Sequence, residues 1–84
     1  MSNKHRRTLE AIFAEPIRGG IPWKAIEAML LAYGAELTEG RGSRVRIALN
    51  GVRAVFHRPH PRKETVKGAV RSMRRFLSEA GIQP

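Results

Sequence analysis

Histidine beside arginine can move a proton next to a phosphate, and this 84-residue chain concentrates that pairing between positions 44 and 60. Cleaving RNA without a metal requires a group to take the 2′-hydroxyl proton, donors to neutralise the phosphorane and an acid for the leaving oxygen. Imidazole titrates near neutral pH and suits the first and last roles; guanidinium suits the second. His57 and His60 are the candidates for proton transfer, and Arg44, Arg46 and Arg53 for holding phosphate. His57 has a second reading as a polar contact on a binding face. His60, between Pro59 and Pro61, also reads as part of a rigid connector. Ser43 has no base beside it in sequence, so a serine nucleophile is unsupported. Three histidines spread along the chain without clustered carboxylates give no metal-ligand pattern, and no glycine-rich loop opens a helix in the way a nucleotide phosphate requires. No metal and no cofactor is expected.

These side chains must be positioned by the stretch from Gly42 to His60. It reads as two alternating strands joined by Asn50-Gly51, the dipeptide that favours a two-residue type I′ hairpin. That turn fixes the register, pairing Leu49 with Val52, Ile47 with Ala54 and Val45 with Phe56 on an apolar face. The other face then pairs Ala48 with Arg53, Arg46 with Val55 and Arg44 with His57. One face makes core, and the other points cations outward.

The remaining chain supplies what covers the apolar face. Leu9, Ile12 and Phe13 lie at helical spacing before Pro16, so a short first helix is expected over residues 4–15 with a narrow apolar stripe. Residues 16–21, with Gly19-Gly20, read as a loop. Pro22 opens a second helix running to Tyr33, with Ile26, Met29, Leu30 and Tyr33 on one side, Trp23 as a core lid and Gly34 as the stop. A strand over 35–39 turns at Gly40 into the hairpin. A last helix is expected over 65–80, with Val66, Val70, Met73 and Leu77 as its core stripe and Gly81-Ile82 closing it. Lys67, Arg71, Arg74 and Arg75 lie at i, i+4, i+7 and i+8, one basic ridge for RNA.

The expected fold class is α+β: a two-layer α-β-β-β-α sandwich with a three-stranded antiparallel sheet, the topology of double-stranded-RNA-binding domains, plus an extra N-terminal helix. Residues 1–20 form the extension and 21–84 the domain, one small core at this length.

Charge points to the same ligand. The formal net charge is +9. Basic and acidic residues cancel over positions 1–40, so the entire excess lies from Arg41 onward, where only Glu64 and Glu79 oppose it. That is the electrostatic footprint of a polyanion binder. The stretch from Trp23 to Tyr33, which would be the recognition helix of a helix-turn-helix reader, carries Lys24 alone and no arginine, which argues against that reading. The chain has no cysteine, no apolar run of transmembrane length and no signal-peptide core, so a cytoplasmic protein without a membrane partner is expected.

Trp23 with its amphipathic helix ending at Gly34, Gly42-Ser43 opening a strand, the hairpin, Pro59-His60-Pro61 and a final helix ending in Glu79-Ala80-Gly81-Ile82 resemble the HicA toxin family over about residues 21–82. The resemblance implies a small toxin that cleaves mRNA and is neutralised by a HicB-like antitoxin protein. The family places a catalytic histidine directly after Gly-Ser; here that position is Arg44. A non-catalytic RNA-binding module and an interaction protein whose basic face meets an acidic antitoxin are therefore the alternatives.

Overall fold

The structure, a computed structural model, describes residues 3–59 and 63–84. His60 and its flanking Pro61 lie outside the described residues. The elements are α1 (Asn3–Ile12), β1 (Ile21–Pro22), α2 (Trp23–Ala32), β2 (Glu36–Glu39), β3 (Arg44–Leu49), β4 (Val52–His57), β5 (Glu64–Thr65) and α3 (Lys67–Glu79). The architecture is α+β, with three helices and a three-stranded antiparallel sheet in the order β2-β3-β4.

Asn50 and Gly51 both take positive φ, 50° and 82°, as a type I′ turn demands. The register follows: Leu49 faces Val52, Ile47 faces Ala54, Val45 faces Phe56 and Arg44 faces His57. Val45, Ile47, Leu49 and Phe56 are buried against Ile26, Leu30, Val70, Met73 and Leu77 in one core. Val52 and Ala54, expected inside, are only half-buried, because β4 is an edge strand with a neighbour on one side. Trp23 lies against Phe56, with ring centroids 6.0 Å apart, and Phe56 meets Phe76 edge-on at 6.2 Å. This aromatic row joins α2, β4 and α3 on the core side of the sheet.

Both core helices stop where their glycines dictate. At the end of α2, Gly34 N–H donates to Leu31 O and Ala35 N–H to Leu30 O; at the end of α3, Gly81 N–H donates to Ser78 O and Ile82 N–H to Leu77 O. Each pair is a complete Schellman motif that satisfies otherwise orphaned carbonyls. Asn50 Nδ2 donates to Ala80 O at 2.8 Å, tying the hairpin tip to the end of α3.

Three expectations need correction. The last helix begins at Lys67, two residues late, because Glu64–Thr65 pairs antiparallel with Ile21–Pro22 in a second small sheet. Val66 is consequently the extended N-cap and 65% exposed, outside the core stripe, while Phe76 is buried. The first helix is shorter than expected, ending at Ile12. It packs on α2 and α3 with Leu9 and Ile12 fully in the core. Its stripe is narrow, but two large side chains on one face are enough to dock a ten-residue helix.

Candidate nucleic-acid interface

Strand alternation sends Arg44, Arg46, Arg53, Val55 and His57 to the face of the sheet that the helices leave open, and all five are exposed. Arg44 lies directly across from His57, Arg46 from Val55 and Ala48 from Arg53. Opposed Cβ atoms on such a face lie roughly 4.5–5.5 Å apart, so an imidazole and a guanidinium there can meet one phosphate. Towards β2 the face continues through Thr38 beside Arg46 and Glu36 beside Ala48. A shallow depression of about 280 Å³ opens there, with Arg46 and Arg53 on its rim.

The end of the sheet carrying Arg44 and His57 is held by several contacts. Arg58 N–H donates to Ser43 O at 2.8 Å, closing the hairpin just beyond the Arg44 and His57 pair. Gly40 N–H donates to Arg44 O at 2.9 Å, and a Cβ at Gly40 would lie 3.0 Å from Arg44 Cβ, so any larger residue there would have to push β3 aside by a few tenths of an ångström.

Arg58 is the residue that sequence reasoning missed. Its Nε donates to Glu27 Oε2 at 2.7 Å, its Nη1 to Glu39 Oε1 at 2.5 Å, and Trp23 Nε1 donates to the same Glu27 oxygen. The hydrogen bond from Arg58 holds the Glu39 carboxyl below the ordinary carboxylate range, with burial acting weakly the other way. Glu39 and then Glu27 correspondingly raise the Arg58 guanidinium. A signal was available, because Arg58 continues the inward series Val52, Ala54, Phe56 by the period of two. A cation on an inward register needs carboxylate partners.

The α3 ridge is divided by the structure. Lys67, Arg71 and Arg75 are exposed. Arg74 turns instead to α1: its Nε donates to Ile12 O at 3.0 Å, its Nη2 to Ala14 O at 2.8 Å and its Nη1 to Glu15 Oε2 at 2.7 Å. Its guanidinium also lies 5.8 Å from the centre of the Phe13 ring. Arg75 and His57 share the lining of a groove between β4 and α3, whereas Arg71 lies by Glu15 and Ile17 on another side.

A family model, "HicA toxin of bacterial toxin-antitoxin", matches residues 23–82. The chain belongs to the HicA toxin family. No curated protein and no solved structure matches it. As a HicA-family chain it is the toxin component of a toxin-antitoxin system. The matched HicA span begins at Trp23, so α1 is outside it although Leu9 and Ile12 complete its core. No helix among the described residues is long and apolar enough to cross a membrane.

Proposed function

We propose that this HicA-family toxin binds mRNA on the open face of the sheet and cleaves it, and that a HicB-like antitoxin protein neutralises it in the cytoplasm. The observation that carries the reading is the pairing of Arg44 with His57 on an exposed face that also carries Arg46 and Arg53. His57 acts as the proton-transfer group, replacing from β4 the histidine that the family places at position 44. Arg44 and Arg46 neutralise the phosphorane. Arg53, Lys67, Arg71 and Arg75 attract the strand electrostatically, and Arg74 contributes chiefly field because three of its N–H groups are held by the segment that ends α1.

Cleavage of a single-stranded RNA by purified wild type, His57→Ala and Arg44→His tests it. His57→Ala is expected to lower the rate by about 10²-fold or more with RNA affinity nearly unchanged, as for loss of a proton-transfer group. Arg44→His is expected to be tolerated. Cleavage indifferent to His57 would remove this residue from the chemistry. A second reading, a non-catalytic RNA binder, is favoured by Arg44 itself, since arginine does not exchange protons near neutral pH. It expects wild type to bind RNA without cutting it.

A further inference from the structure

The sheet ends at β4, which pairs with β3 alone among the described residues. The type I′ turn makes Leu49 and Val52 a hydrogen-bonded pair, so Val52, Ala54 and Phe56 spend their backbone groups on β3. Arg58 N–H reaching Ser43 O continues this phase. The N–H and C=O groups of Arg53, Val55 and His57 therefore point to the open edge, a template for one more strand.

Space for that strand exists. A groove of about 330 Å³ runs between the β4 edge and α3, and the helix lines it with the small residues Gly68, Ala69 and Ser72 over its first turns and with Arg75, Phe76 and Glu79 further along. A Cβ added to Gly68 would meet nothing within 4 Å, which marks open space. The side-chain chemistry of β4 selects the occupant. On the outward face an added strand would lie beside Arg53, Val55 and His57, and Val55 is 57% exposed, a large apolar side chain with no cover. Acidic residues flanking one apolar residue match that row, and apolar residues between them fit under α3 beside Ala69. On the groove wall Arg75 adds a cation and Glu79, at the C-terminal end of α3, offsets it, so the attraction for an acidic strand comes from the β4 row itself. The opposite edge, β2, carries no cation and presents Glu36 on the same outward face, which would repel such a strand.

We propose that the open edge of β4, roofed by the small-residue side of α3, docks an extended acidic strand from a protein partner as a fourth strand of the sheet. The strand alternates acidic and apolar residues on its outer face and covers His57 and Arg53 when bound. The proposal rests on the toxin reading only for the donor of the strand, the antitoxin of the pair.

The probe is a fluorescein-labelled peptide containing Glu-Val-Ile-Val-Glu, whose symmetry serves either strand direction, with the same peptide carrying Lys for Glu as control. Wild type is expected to bind the acidic peptide and not the control, with backbone amide shifts at Arg53, Val55 and His57. Val55→Pro removes an edge donor without touching the β3 ladder and should abolish binding. Ser72→Glu, on the helix wall, should weaken it about tenfold by like-charge repulsion while leaving the strand intact. Unchanged affinity in both variants, or no binding by wild type, overturns the proposal. So does an oligouridylate RNA that shifts those amides when the peptide does not. A wild type that cuts no RNA yet binds the peptide sinks the nuclease reading and supports this one.

Discussion

Arg58 decides how firmly the candidate site is held. Its guanidinium gathers Glu27 from α2 and Glu39 from β2 at the end of β4, while its backbone clasps Ser43, so three elements converge one residue beyond His57. Because folding lowers the Glu39 pKa, the native state binds fewer protons than the unfolded chain there. The contact therefore stabilises fully above the ordinary carboxylate pKa and is lost as pH falls from there through the lowered pKa of the folded state. Urea denaturation of wild type and Glu39→Gln at pH 7 and near pH 3 is expected to show the variant losing less stability on acidification. Equal losses would mean that this exposed contact contributes nothing.

At the scale of elements, the hairpin carries both faces of the argument. Ile47 is 1% exposed at the centre of β3, so Ile47→Ala should cost about 2–5 kcal/mol in chemical denaturation. A cost under about 1 kcal/mol would contradict the packing at that position. The same strand sends Arg46 outward immediately before Ile47, and a one-residue slip would exchange them. Burial of the apolar face thus fixes which cations the open face displays. α3 has the same double use: Val70, Met73 and Leu77 fill the core, while Gly68, Ala69 and Ser72 line the first turns of the neighbouring groove with small side chains.

For the whole molecule, Arg74 joins the N-terminal helix to the family core. It makes three hydrogen bonds to the segment ending α1, two of them to main-chain carbonyls, and lies over Phe13. Arg74→Ala is expected to lower stability by about 1–3 kcal/mol and to speed amide exchange in α1 before the sheet. Equal protection of α1 in both proteins would contradict the clamp. Two surfaces carry clusters of the excess charge, the open sheet face and the exposed side of α3. Arg44→Glu with Arg46→Glu should flatten the salt dependence of RNA affinity by roughly one phosphate contact per arginine lost. Lys67→Glu with Arg71→Glu tests the helix surface separately. If either pair leaves affinity and slope unchanged, that surface does not meet RNA.

The sequence by itself determined the hairpin, its register, the inward and outward faces of β3 and β4, and the glycine-closed ends of both core helices. Each of these follows from short-range causes: a positive-φ dipeptide, a side-chain period of two, and hydrogen bonds that close within one helical turn. Only the tertiary structure decided that α1 belongs to the core, that Thr65 pairs with Ile21 instead of starting a helix, and that Arg74 leaves the ridge to cap α1. It also decided that Arg58 meets Glu27 and that β4 remains an open edge beside α3. The partners of Arg58 and Arg74 stand 31 and 62 residues away. No local preference encodes such separations, because a cation chooses its carboxylate or carbonyl only once the packed core has brought the two elements together.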